Sequence, residues 1–136
     1  MPEVQSRTVL AFDFGAKRIG VAVGEELAGS ARPLAVVKVR DGRPDWDALS
    51  ALIKQWQPDC FVAGLPGTDD GSPHELAPRI SRFARQLEGR FGRPVEVVDE
   101  RLSSYAAHNE AGPQADAVGL DAVAARMILE TWFQQQ

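Results

Sequence analysis

VLAFDFGAKRIGVAVG, the segment Val9–Gly24, is the part of this chain that says most about its fold. An apolar run leads directly to Asp13, Gly15 follows two residues later, and a second apolar run begins at Ile19. This order predicts a buried strand, a tight turn and a second strand. A carboxylate beside an apolar strand is costly to desolvate unless something pairs with it. We therefore expect Asp13 either to bind a cation, for which a metal ion is a good candidate, or to bond its own turn backbone.

Length and composition are those of an ordinary globular protein. The chain has 136 residues, of which 44% are hydrophobic and 25% charged, so residues 1–136 are expected to form one domain. Its single cysteine, Cys60, excludes an internal disulfide framework and a cysteine-rich zinc site, and it is expected to be a buried thiol of a cytoplasmic protein. No apolar run reaches the roughly 18 residues of a membrane span, so no membrane partner is expected.

The charge pattern leaves nucleic-acid binding open. The net charge of −4 weighs against non-specific binding to nucleic acid. Basic residues nevertheless cluster in two places. Arg79, Arg82, Arg85 and Arg90 follow one predicted helix, and Lys38, Arg40 and Arg43 lie near the end of the third strand. They could contact phosphates or equally be solvated at the surface.

Apolar runs predict five strands. The connections between the first three are too short for crossover helices, so these strands should form antiparallel hairpins. Pro33 should lie at the start of its strand or on a sheet edge. The predicted strands are about Thr8–Phe12, Ile19–Gly24, Arg32–Val39, Phe61–Leu65 and Val95–Val98.

Helical spacing of apolar residues appears between and after the later strands. Proline at the first helical position and a capping box are typical helix starts. A short helix capped by Ser103 or Ser104 is predicted before the last one. Three longer helices are predicted. The first begins at Asp45 or Asp47 and ends before Pro58, the second begins at Ser72-Pro73 with Glu75, and the third spans about Leu120–Phe133.

This order of elements predicts the architecture. Three strands are followed by alternating helices and strands, and the helices require right-handed crossovers onto a mixed sheet. Antiparallel hairpins on one side and parallel strands on the other fit an α/β fold of the ribonuclease-H-like, three-layer type. We expect a five-stranded mixed sheet with helices on both faces.

Three acidic residues stand at the ends of predicted elements: Asp13, Glu100 and Asp121. If the first and last strands run parallel, their carboxyl ends share the edge where open α/β sheets bind ligands. Converging carboxylates either retain a proton or bind a divalent cation, and oxygen ligands suit Mg²⁺ or Mn²⁺. Other readings remain open, because Asp121 could simply favour a helix start, Glu100 could pair with Arg101, and Asp99 is equally acidic.

Four segments resemble the YqgF/RuvX family, which comprises nucleases of precursor 16S ribosomal RNA and proteins similar to Holliday-junction resolvases. The segments span nearly the whole chain in order, and the first and third together are specific. They are AFDFGAKRIGVAVG at Ala11–Gly24, VAGLPGTDDGS at Val62–Ser72, VVDERLSS at Val97–Ser104 and LDAVAARMILE at Leu120–Glu130.

The resemblance implies a ribonuclease-H-like nuclease and assigns roles to residues. It selects Glu100 over Asp99 and makes Asp13, Glu100 and Asp121 both catalytic residues and metal ligands. Hydrolysis would use two Mg²⁺ or Mn²⁺ ions, with Asp13 bridging both. Contacts to nucleic acid are expected from Lys17, Arg18, Arg101, Arg79 and Arg82, of which the first three are implied by the resemblance.

The implied substrate is precursor ribosomal RNA, cut during maturation of the 5′ end of 16S RNA, with the ribosomal subunit as a partner. One alternative is a resolvase of four-way DNA junctions, which would need a two-fold dimer, so monomer and homodimer both stay open. Another is a non-catalytic nucleic-acid-binding module. The chain departs from the family pattern at Thr68 and Asp69, which stand where relatives carry Asn-Met, and in the uncharged segment just before Asp121.

Overall fold

The sheet contains one strand more than predicted. The computed structural model describes residues 6–65, 76–99 and 120–136. Within these residues the strands are β1 (Thr8–Phe14), β2 (Arg18–Glu25), β3 (Ser30–Arg40), β4 (Arg43–Pro44), β5 (Cys60–Leu65) and β6 (Val95–Asp99). They form one sheet in the order β4-β3-β2-β1-β5-β6.

The directions of the strands agree with the prediction. β2 pairs antiparallel with both β1 and β3, while β5 lies parallel between β1 and β6. The parallel strands therefore place their carboxyl ends at one edge of the sheet. Pro33 lies opposite Ala22, next to a register shift at which β3 has one extra residue, Leu34. At this position β3 has no second neighbouring strand in the described part of the chain, because β4 pairs only with Val39 and Arg40.

β4 was not predicted because two residues carry no periodicity. It is joined to β3 by Asp41-Gly42, whose φ angles are 53° and 76°. Two consecutive residues with positive φ form the tight hairpin turn for which Asp-Gly is the favoured sequence. The prediction of five strands is therefore wrong by this short edge strand, while the mixed α/β sheet is confirmed.

Three helices are described: α1 (Trp46–Trp56), α2 (Ala77–Phe91) and α3 (Leu120–Gln134). Asp45 caps α1, since its carboxylate accepts a 3.1 Å hydrogen bond from the backbone N–H of Ala48. α2 begins at Ala77 with Pro78 in its first turn, and the residues of the predicted start, Ser72-Pro73, lie outside the described residues. The predicted short helix after Ser103 lies outside the described residues.

Helices cover both faces of the sheet, as predicted. Alternate side chains of β1 point to opposite faces. Leu10 and Phe12 pack in a cluster with α1 and α2, whereas Val9 and Ala11 pack with α3. The sheet is thus the middle of three layers, and β1 contributes to both cores. No helix in the described ranges is long and apolar enough to cross a membrane.

Candidate active site

Asp13 lies within β1, one residue before its end. The strand continues to Phe14, so the prediction that Asp13 ends the strand is wrong by one residue. Asp13 lies directly opposite Gly20 of β2 and beside Gly64 of β5. Paired residues of neighbouring strands share a face of the sheet. Neither paired residue has a side chain that could cover the carboxylate, which is partly exposed, whereas Phe12 before it is fully buried.

Asp121 reaches the same place from α3. A Cβ atom at Gly20 would lie 1.8 Å from the backbone oxygen of Asp121 and 2.7 Å from the nitrogen of Ala122. The first turn of α3 therefore rests directly on the backbone of β2 at Gly20. Because Gly20 is also the cross-strand partner of Asp13, the two acidic residues lie on the same face of the sheet.

The close approach of α3 depends on small residues. Gly20, Ala22 and Gly24 alternate along the face of β2 that meets α3, and a Cβ at Gly24 would lie 2.8 Å from the ring of Phe133. The facing side of α3 begins with buried Ala122. Our sequence reasoning missed this role, although the alternation of small residues in IGVAVG was a visible signal.

Arg18 forms an ion pair with Asp121. Its Nε donates a 2.9 Å hydrogen bond to Oδ2 of Asp121, and the side chains are 59% and 35% exposed. Arg18 begins β2 two residues before Gly20, so it projects from the face that carries α3. A pair this exposed contributes little to stability. Its consequence is a cation placed beside the carboxylates.

The other predicted site residues are distributed differently. Lys17 is exposed in the turn between β1 and β2. Arg79 and Arg82 are exposed on α2, which packs on the opposite face of the sheet from α3, so they do not join the acidic residues. Glu100 and Arg101 lie outside the described residues.

The donor set fits a hard divalent cation. Asp13 and Asp121 supply carboxylate oxygens, the ligands preferred by Mg²⁺ and Mn²⁺, and both residues are partly exposed on the same face of the sheet. Within residues 6–65, 76–99 and 120–136, no three His, Cys, Asp or Glu side chains come together as a metal-binding group. The described residues thus provide two of the three predicted ligands.

Cys60 is a buried thiol, as predicted. It belongs to the core under α3 and is only 5% exposed. Burial raises the pKa of the Cys60 thiol, because a thiolate is poorly solvated in an apolar core. Since the thiolate is the nucleophilic form, this residue is not suited to attack a substrate.

Solved structures with a similar fold include nucleases that act on branched DNA. RuvC of T. thermophilus, solved in complex with a Holliday junction substrate, superposes with a TM-score of 0.59 at 18% identity, covering 94% of each chain. The Holliday junction resolvase of fowlpox virus gives a TM-score of 0.53 at 12% identity, covering 95% of this chain and 99% of that one. At such identities the similarity shows the ribonuclease-H-like fold.

Sequence relatives are much closer. A protein of Chromohalobacter salexigens named "Putative pre-16S rRNA nuclease" is 49% identical over 138 residues, covering 98% of this chain and 93% of the relative. A protein of Pseudomonas aeruginosa with the same name is 48% identical over 134 residues, covering 95% and 93%. The sequence model of the family described as "RuvX: Holliday junction resolvase" matches residues 7–135. The chain therefore belongs to the RuvX family.

Proposed function

We propose that this chain is a metal-dependent nuclease that hydrolyses phosphodiester bonds. The observation that carries the proposal is the meeting of Asp13 and Asp121 at Gly20, on one face of the sheet. Carboxylates repel one another, and a divalent cation between them relieves this repulsion. The names of relatives at 48–49% identity support a nuclease acting on nucleic acid.

The proposed metal ligands are Asp13, Glu100 and Asp121, which would hold Mg²⁺ or Mn²⁺. When bound, such ions supply Lewis acidity that activates a water and stabilises the leaving oxygen. Asp13 stands on a strand packed on both faces, and Asp121 on a helix in backbone contact with the next strand. The backbones that carry both carboxylates are therefore held in place before any ligand arrives.

Arg18 has a second role in this proposal. In the ion pair it neutralises Asp121. When a cation takes over that neutralisation, the guanidinium becomes available to a substrate phosphate, for which its fork of donors is well suited. Lys17 next to it, and Arg101 next to Glu100, are proposed to contact the same backbone.

The proposed substrate is precursor 16S ribosomal RNA, cut in maturation of its 5′ end and presented free or in an immature ribosomal subunit. The names of the close relatives support this choice. The second candidate is cleavage of four-way DNA junctions, which the description of the family favours. Symmetric cuts in a junction require a two-fold dimer, so a stable monomer in solution would contradict that candidate.

The experiment compares Asp13→Asn with wild type on both substrates. Purified protein is incubated with Mg²⁺ or Mn²⁺ and labelled precursor RNA, free and in immature subunits, or a labelled four-way junction. Asp47→Asn is the matched control, because Asp47 is an exposed residue in the first turn of α1. We expect cleavage of the RNA by wild type and Asp47→Asn, and none by Asp13→Asn.

The other outcomes separate the alternatives. Cleavage by Asp13→Asn at the wild-type rate would refute the proposed site. Paired symmetric cuts in the junction alone would favour the resolvase. Calorimetric titration with Mn²⁺ gives an independent reading, since binding should weaken in both Asp13→Asn and Asp121→Asn. If the protein binds nucleic acid but neither cleaves it nor binds Mn²⁺ through Asp13 and Asp121, it is a non-catalytic module.

A further inference from the structure

Basic side chains line two adjoining clefts beside β4. One cleft, of about 380 Å³, is lined by Arg43, Arg79 and Arg82 together with Phe14 and Asp41. The other, of about 690 Å³, is lined by Lys38, Arg40 and Asp45 and shares Arg43 and Asp41 with the first. We call the five cations the basic band: Lys38, Arg40, Arg43, Arg79 and Arg82.

The basic band connects the two faces of the sheet. It starts beside the candidate active site, because Lys38 lies directly opposite Arg18 in the pairing of β2 with β3, and paired residues share a face. It passes Arg40 and Arg43, which flank the turn at the edge of the sheet. It ends at Arg79 and Arg82 on α2, which packs on the opposite face.

The charge of the basic band is not neutralised locally. All five side chains are exposed, and none forms an ion pair within the described part of the chain. Only two carboxylates line the clefts, Asp41 and Asp45, and that of Asp45 caps α1. On a chain of net charge −4, this concentration of positive charge points to an anionic partner that runs along the whole path.

The clefts are suited to phosphates and not to bases. Phe14 and Phe83 line the smaller cleft but are only 4% and 1% exposed, so their rings cannot serve as stacking platforms of the kind that bind bases. Arginine contacts to phosphates hold a backbone without reading its sequence. A partner bound here is therefore recognised by charge.

The path also bends around an edge of the sheet. A flexible single strand can follow such a bend over a few residues. A duplex cannot do so without a large deformation energy, since its persistence length is about 50 nm. The two faces and the edge between them are thus better matched to a single strand.

We propose that the basic band binds a single-stranded segment of nucleic acid that continues from the candidate active site around the β3–β4 edge to α2. The proposal rests on the proposed function for the identity of its ligand. It deepens that function by specifying a substrate with an unpaired segment next to the cleavage position.

The test is binding without cleavage. Fluorescence anisotropy with a labelled single-stranded RNA and with an RNA duplex of equal length is recorded in EDTA over a series of salt concentrations. The test variant is Arg79→Gln/Arg82→Gln. The control, Lys54→Gln/Arg85→Gln, loses the same two charges from exposed positions on α1 and α2 that are not part of the basic band.

We expect the test variant to bind the single strand about tenfold more weakly at low salt, and the control to match wild type. The slope of log K against log salt is negative, and each lost phosphate contact reduces its magnitude by about 0.7 for a single strand, so the magnitude should decrease by about 1.4. Lys38→Gln/Arg40→Gln should behave like the test variant. Oligo(U) and oligo(A) should bind with similar affinity.

Two results would overturn the proposal. Equal affinities of the test and control variants would mean that the basic band is ordinary solvated surface. An equal loss for duplex and single strand would refute the preference for an unpaired segment. Neither result depends on catalysis. The proposed function is tested separately, by cleavage assays and Mn²⁺ titration of the Asp13 and Asp121 variants. A failure of one proposal can therefore be told apart from a failure of the other. Matching thermal unfolding midpoints of all variants establish that the substitutions leave the fold intact.

Discussion

Gly20 determines the candidate site as much as the charged residues do. It is the cross-strand partner of Asp13 and the contact point for the backbone of Asp121. Asp13 could be predicted from sequence, because a carboxylate at the end of an apolar run is locally visible. The role of Gly20 could not, because it depends on a contact with a helix that lies far away in the chain.

Gly20→Ala should destabilise the protein by about 2–3 kcal/mol, within the range for overpacking of a tight contact. A Cβ 1.8 Å from the Asp121 oxygen cannot be accommodated unless α3 moves. Urea unfolding measures the effect. Gly89→Ala is the control, because Gly89 lies inside α2 with no atom within 4 Å of its added Cβ, and it should be neutral or stabilising. Equal stability of wild type and Gly20→Ala would contradict the close packing of α3.

At the scale of elements, each strand of five or more residues was predictable, and the two-residue strand β4 was not. β1, β2, β5, β6 and α3 agree with their predicted positions to within two residues at each end. β4 was missed, although Asp41-Gly42 is the dipeptide typical of its turn. Both Pro73 and Pro78 are suitable for a first helical turn; the described helix has Pro78 there, while Pro73 lies outside the described residues.

Asp45→Ala should lower the free energy of unfolding by about 1 kcal/mol, the usual effect of losing an N-cap. Its carboxylate accepts a hydrogen bond from the backbone N–H of Ala48, a donor that has no partner within the first turn of α1. Asp45→Asn keeps an acceptor in the same place and should stay close to wild type. Thermal or urea unfolding compares the three proteins. A similar loss in both variants would show that charge, and not the hydrogen bond, is responsible.

At the scale of the whole molecule, the sheet lies between two large hydrophobic clusters of described residues, one on each face. The three-layer arrangement was predictable because strand directions follow from loop lengths and crossover handedness. The meeting of Asp13 and Asp121 was expected from this topology. The Arg18–Asp121 ion pair was not, since it joins side chains 103 residues apart whose rotamers no local pattern specifies.

Amide hydrogen exchange should be slowest in β1 and β5. Residues such as Leu10, Phe12 and Phe61 are fully buried, and β1 and β5 lie between other strands, so their amides exchange only through near-global opening. β4 and β6 stand at the ends of the described sheet and should exchange faster. NMR-detected exchange measures this order. Protection of β4 equal to that of β1 would contradict it.

The packing of β1 on both faces has a consequence for any ligand that Asp13 binds. Its neighbours along the strand, Phe12 and Phe14, are locked among aromatic rings on one side, and α3 lies against the other. The backbone at Asp13 is therefore fixed by packing on both faces of the sheet. The backbone position from which Asp13 would meet a ligand is ordered once, when the chain folds, and does not have to be ordered again at each binding event.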